Sequence, residues 1–310
     1  MPVLARLSAS LTAFTLLIIL LSALGWSQEL EPRAYSASPV GTTFLVASYG
    51  RSSGSVLLDP TIPITDIHAT INSSGIGVGQ TFGLFHRQCL FTAALPYAWG
   101  SITGSVDEST RSITRSGLSD IRMKMSMNFI GSPAMSPEEF AKEYRPKTIV
   151  GASLTVSAPT GQYDPAKLIN LGSNRWALKP EVGVSFPVKK LYLDAYAGAW
   201  FFTDNSAYFP GNANRAQDPV TTVQGHVSYT FRPRLWLAMD ATWYRGGGAS
   251  VNNGPSMGEQ NNSRAGVTLS LPIFKGQSVK VAFSTGTTAS VGSKFNTLSI
   301  AWQKVWFDHR

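Results

Sequence analysis

The sequence predicts an all-β chain: a single transmembrane, antiparallel, up-and-down β-barrel of about 12 strands behind a cleaved signal peptide. Three observations carry that reading. Apolar and polar residues alternate with period two in one segment after another, and the connections between those segments alternate long and short. Charge is also scarce, although no stretch after the signal is apolar enough for a membrane helix.

The clearest alternation runs from Asp120 to Ile130 (DIRMKMSMNFI). Ile121, Met123, Met125, Met127 and Phe129 are apolar, while Asp120, Arg122, Lys124, Ser126 and Asn128 are polar. A helix would scatter the two sets around its circumference, so only a strand, whose side chains alternate faces, separates them. A half-buried soluble strand would look the same, and its companions decide. The same alternation, punctuated by Gly, Pro, Asn and Asp, places strands at about 42–50, 68–84, 87–99, 117–130, 148–158, 176–186, 191–203, 219–232, 235–245, 263–271, 278–286 and 295–306. Lys179, Glu181 and Ser185 oppose Leu178, Val182, Val184 and Phe186, and Lys280 and Ser284 oppose Val279, Val281 and Phe283. In a barrel the polar set lines the lumen and the apolar set meets lipid. Trp99, Trp176, Trp200, Trp236, Trp243, Trp302 and Trp306 fall near strand ends, where interfacial aromatics belong. The run Gly75, Gly77, Gly79, Gly83 leaves one face of its strand bare, as a bend or a lumen narrowed by a neighbouring element would require.

The connections at 51–67, 100–116, 159–175, 204–218 and 246–262 are long and rich in Gly, Ser, Asn and Pro, whereas those at 85–86, 187–190, 233–234 and 272–277 are short. An outer-membrane barrel with both termini in the periplasm has this asymmetry, with tight periplasmic turns and long outer loops. The connection 131–147 departs from it. There Ser136, Pro137 and Glu139 spell a capping box, which predicts a short periplasmic helix. Residues 28–41 (QELEPRAYSASPVG), broken by Pro32 and Pro39, read as a periplasmic lead-in to the barrel at 28–310.

Only 14% of the 310 residues are charged, against roughly a quarter in soluble domains, and mean hydropathy is +0.01. The one long apolar run, Leu11 to Leu24, follows Arg6 and precedes small residues, so residues 1–27 read as a signal peptide cut between Gly25 and Gln28. A lone Cys89 gives no disulfide, redox or zinc motif, and Asp59, Asp66 and Asp204 lack calcium-loop spacing; neither metal nor cofactor is implied. A net charge of +8 in an exported barrel belongs to anionic lipid headgroups or a pore lining rather than to nucleic acid.

The blocks ELEPRAYS (29–36), SSGSVLLDP (52–60), LPYAWG (95–100), SPEEF (136–140), IVGASLTVSAPTGQYDPAKLINLGSNRW (149–176), AGAWFFTDN (197–205) and HVSYTFRPRLW (226–236) resemble a bacterial outer-membrane family of transporters named for the meta pathway of phenol degradation. The resemblance spans nearly the whole mature chain. It implies a Gram-negative outer-membrane channel for passive uptake of small, hydrophobic or aromatic molecules, and it brings no catalytic or binding residue with it.

Candidate site residues follow from facing. Asp120, Arg122, Lys124, Lys179, Glu181, Asp194, Arg232, Asp240, Arg264 and Lys280 point inward, either as an eyelet that orients solutes or as ion pairs that fill a narrow barrel. The loop 161–176 offers Tyr163 and Trp176 as a constriction if it folds inward, or is a plain surface loop. His226, Ser228 and Asp240 have the chemistry of a Ser-His-acid hydrolase, similar to an outer-membrane phospholipase. All three lie on the lumen side, where a lipase nucleophile could not meet lipid, and a hydrogen-bonded lumen network is the alternative. A structural or adhesive barrel with a plugged lumen is the remaining rival to a channel, and oligomeric state is not legible.

Overall fold

The computed structural model describes residues 30–57, 64–106, 109–290 and 292–307. The signal peptide expected at 1–27, with its cut between Gly25 and Gln28, and Asp59 lie outside the described residues. Thirteen strands form one sheet: β1 (Thr42–Leu57), β2 (Ile64–Leu84), β3 (Arg87–Val106), β4 (Ser109–Leu118), β5 (Ile121–Ile130), β6 (Ile149–Ala158), β7 (Ala177–Val188), β8 (Leu191–Phe202), β11 (Val220–Arg232), β12 (Leu235–Gly246), β14 (Gln260–Phe274), β15 (Gln277–Thr288) and β16 (Gly292–Phe307). Three short strands, β9 (Asn205–Tyr208), β10 (Ala213–Gln217) and β13 (Ala249–Val251), form a second sheet.

β4 and β5 are two halves of one stave, since both pair with β3, and the chain is a closed antiparallel barrel of 12 staves. β1 pairs with both β2 and β16, and β2 with β3, so the ring has no free edge within the wall. Hydrocarbon offers no hydrogen bonds, and only such closure satisfies every strand there. Among the described residues no helix is long and apolar enough to cross a membrane.

Facing follows the alternation read from the sequence. Along β7, Lys179 and Glu181 are 2% and 3% exposed while Val182 and Phe186 on the other face are 60% and 48% exposed. Two tryptophans break the expected girdle. Trp200 shares the inward face of Tyr196 and packs with Ala177, Val220 and Tyr244, and Trp236 shares that of Ala238. The loops expected at 51–67 and 100–116 are mostly strand instead: β1 pairs β2 as far as Ser55↔His68, and β3 pairs β4 as far as Val106↔Ser109. Above the lipid neither face needs to be apolar, so the alternation that marks a strand fades there.

At one end of the barrel the turns are tight, with Phe85 and His86 both at positive φ as the turn between β2 and β3. The same end carries helix α1 (Pro137–Glu143), capped as its sequence predicts: the Glu139 amide donates to the Ser136 hydroxyl and the Ser136 amide to the Glu139 carboxylate at 2.8 Å. At the other end the 159–176 loop folds inward and meets the small β9–β10–β13 sheet. Asp120, at the break between β4 and β5, pins it: Oδ1 accepts from the Gly161 amide at 2.9 Å, and Oδ2 from the Ser173 amide at 2.9 Å and hydroxyl at 2.6 Å. Asn205 then ties loop to sheet, donating to the Tyr163 hydroxyl at 2.9 Å and accepting from Asn174 at 2.8 Å.

The closed wall predicts that unboiled protein migrates differently from boiled protein in a detergent gel. Identical mobility would refute the barrel. Replacing Asp120 by Ala removes three hydrogen bonds to a buried carboxylate, each worth about 1.5–3 kcal/mol. We expect the loop to open and tryptic cleavage after the exposed Lys167 to rise, while the gel shift persists; an unchanged cleavage rate would show that the loop is held by something else.

Candidate functional site

The lumen is asymmetric. One wall, from β5 through β15, carries long polar and aromatic side chains, and the lead-in packs against it. Residues 30–41, expected in the periplasm, instead run up inside the barrel. Tyr35 is 1% exposed; its hydroxyl pairs with Ser153 at 3.0 Å and donates to Glu181 at 3.3 Å, and its ring meets Tyr196 edge-on at 5.2 Å. Glycines on β6 and β7 make the seat. A Cβ on Gly151 would come within 2.7 Å of the Tyr35 ring and one on Gly183 within 2.2 Å, so a side chain at either place would displace the ring.

Arg33 completes the docking. Its guanidinium donates to Ser228 at 2.8 Å and Thr230 at 2.6 Å and lies over the Tyr192 ring at 4.5 Å and the Trp236 ring at 4.9 Å, and its amide donates to Asp194 at 3.3 Å. Glu31 pairs with Lys124 at 2.6 Å, and Glu181 sits 3.8 Å from Lys124 and 3.2 Å from Lys179. Two ammonium groups thus meet two carboxylates. Lys179 and Glu181 are buried and tolerated there as a matched pair, while Lys124 and the lead-in's Glu31 form the more open end of the cluster.

The other wall is nearly bare. On the inward faces of β1, β2 and β3 stand Ser48, Gly50, Ser73, Gly75, Gly77 and Ala94, with Ile76, Val78 and Leu95 on the lipid side between them. Ser48, Ser73 and Ala94 are exposed although they face inward, so open space runs along this wall. Toward the tight-turn end the Phe44 ring fills the place of a Gly79 side chain.

Toward the long-loop end the bare wall leads to a cavity of about 170 Å³. Its wall side is Ile71, Ala98, Ile102 and Ile113; its cap side is Tyr163, Leu168, Ile169, Leu171 and Tyr208, with Arg175 and Arg215 buried among them at 3% and 2% exposure. The Gln217 side-chain carbonyl accepts from both guanidinium groups, and Arg175 stacks on Phe202 at 4.3 Å. Burial first, and Arg215 beside it second, push the Arg175 guanidinium well below its ordinary range.

Most of the inward charges named from sequence are therefore ion pairs or anchors. Lys124, Lys179 and Glu181 form the cluster around the lead-in, and Arg122 shares the Lys124 face. Asp194 receives the lead-in, Asp120 holds the cap, Arg264 donates to Ser284 at 2.8 Å, and Lys280 lies 5.7 Å from the Trp236 ring. Arg232 is a correction. A register shift after Thr230 breaks the alternation, and Arg232 is exposed at the tight turn rather than among the buried inward residues. Of the two loop candidates Tyr163 lines the cavity, whereas Trp176 is 48% exposed on the outside, one residue out of phase with the inward Ala177. His226 and Asp240 are bonded at 2.7 Å and Thr268 donates to Asp240 at 2.7 Å, but Ser228 accepts from Arg33 and makes no hydrogen bond to His226, whose Nε2 has no partner among the described residues. Sequence reasoning missed Glu31, Arg33 and Tyr35 as lumen groups, and Arg175 and Arg215. The usable signal was glycine on inward faces, at 151 and 183 as well as 75–83, which implies that something lies against them.

Comparison with known proteins agrees with this architecture. An outer membrane channel from Pseudomonas putida F1 superposes with a TM-score of 0.74 at 21% identity, over 90% of this chain and 100% of that one. The β domain of the Bordetella autotransporter BrkA superposes with a TM-score of 0.53 at 8% identity, over 86% of this chain and 100% of that one. At these identities the likeness is one of fold. No curated protein matches the sequence. The sequence matches the family described as Putative MetA-pathway of phenol degradation over residues 50–302, most of its length, and the chain belongs to that family.

Proposed function

We propose that the protein is an outer-membrane channel that passes small, apolar or aromatic molecules passively, with its tight-turn end in the periplasm and its capped end outside the cell. The observation that carries this reading is the bare wall: inward Ser48, Ser73 and Ala94 exposed along a corridor that leads to the cavity under the cap. A barrel of 12 strands lies between those that side chains fill and those that leave a wide water channel. Here the lead-in occupies one side, and what is left is a slot walled by hydroxyls, methyl groups and backbone. Such a slot suits a narrow solute of low charge. Membership of a family described by phenol degradation, and likeness to an outer membrane channel of Pseudomonas putida, support the same reading.

The chemistry of a hydrolase is not supported. Ser228 is engaged by Arg33 and lies inside the lumen, so neither the base nor a lipid ester reaches it. A plugged barrel is favoured by one feature, the docked lead-in itself.

Planar-bilayer recording separates channel from plug. The intact protein should show small, steady conductance. Replacing Tyr35 and Arg33 by Ala removes a buried aromatic anchor worth on the order of 3 kcal/mol together with its hydrogen bonds, enough to undock the lead-in. Conductance should then rise at least about twofold, with the gel shift retained. A silent intact barrel that conducts only after these changes would establish the plug. Ala94→Trp, placed in the open slot, should cut flux of small aromatic solutes in a liposome assay by more than about half; unchanged flux would move the pathway elsewhere.

A further inference from the structure

The cavity under the cap holds a charge pattern that passage alone does not require. Arg175 is almost wholly buried, and among the described residues no carboxylate pairs with it. Its Nη2 donates to the Gln217 side-chain carbonyl, an oxygen that Arg215 also uses, and its Nη1 has no hydrogen-bond partner among the described residues. A buried guanidinium beside a second one is costly, and leaving the Arg175 Nη1 donor unpaired adds to the cost. Both arginines line the cavity. The opposite side carries the apolar surface of Ile71, Ile102 and Ile113, and Arg115 at its margin is taken up by the Ile169 and Thr114 carbonyls. One end of the cavity therefore wants an anion and the other a hydrocarbon body. A single water needs about 10–15 Å³ of such space, so a volume of about 170 Å³ admits a one-ring molecule rather than a lone ion.

We infer that this cavity binds small organic acids, an aromatic ring against Ile71, Ile102 and Ile113 with its carboxylate on Arg175 beside Arg215. The carboxylate accepts from Arg175 Nη1 and supplies a negative charge in direct contact, where Asp120 and Asp204 act only from further away. Guanidinium forks bind carboxylates in just this planar manner. The inference deepens the channel reading, on which it rests for the solute's arrival, and makes the cavity an outer capture site ahead of the low-charge slot.

Calorimetric titration of the full-length, detergent-purified barrel with benzoate, and with benzyl alcohol as its neutral counterpart, tests this. Benzoate should bind at least about tenfold more tightly than benzyl alcohol, and Arg175→Met, which keeps most of the side-chain bulk, should abolish that preference. Arg175→Lys, keeping charge without the fork, should retain only part of it. Equal binding of the two probes by the unaltered protein, or a preference that survives Arg175→Met, overturns the site. The comparison in the unaltered protein stands even if a variant fails to fold. Benzoate binding in a barrel that never conducts would leave the site and remove the channel; conductance without selective benzoate binding would do the reverse.

Discussion

A lipid interior offers a backbone no partner, and that constraint organises this molecule. It forces the strands into a ring, closed where β1 pairs with β16 through sixteen residues from Thr42↔Phe307 to Leu57↔Gly292. Closure fixes two populations of side chains. Those outside must be apolar, as Val182, Met239 and Leu298 are, each more than half exposed. Those inside crowd one side of a narrow lumen, where buried charges such as Lys179 and Glu181 stand paired.

The lead-in adds to that pairing. Without Glu31 and Arg33, Lys124 would keep only a longer contact to Glu181, and Ser228, Thr230 and Asp194 would each lose a donor. The segment is thus a missing part of the interior, supplied from the chain's own beginning. It also explains why Gly151 and Gly183 stand on otherwise crowded strands, because an aromatic ring lies where their side chains would be.

The outer surface was the legible half of this fold. Alternation in residues 120–130 and 176–186 marked the lipid face because a long apolar run of every second residue has few other uses, and the Ser136–Glu139 box marked its helix because capping is local. What sequence could not show is long-range and polar. Glu31 and Lys124 are 93 positions apart, and nothing near either announces the other. Nothing in the loop sequence singles out Arg175, because its burial depends on packing with the β9–β10–β13 sheet. Trp200 and Trp176 each stand beside a strand end, and one residue of phase puts the first inside and the second out. Where alternation lapsed, as at Arg232 and above the lipid in β1 and β3, facing and strand length were misjudged for the same reason.

The division of the lumen into a packed side and a bare side has a consequence for how such a barrel changes over evolution. Interior substitutions in most proteins are constrained because there is no room for them. Here Ser48, Ser73 and Ala94 are exposed on the inner face, and a methyl group added at Gly77 would meet its neighbours only at ordinary contact distances. Their identities are nearly independent of the ion pairs and rings that hold the opposite wall. A lineage can therefore retune what fits through the slot by point substitution while the frame, the docked segment and the lipid face stay as they are. On the channel reading proposed above, the choice of solute is free to drift faster than stability.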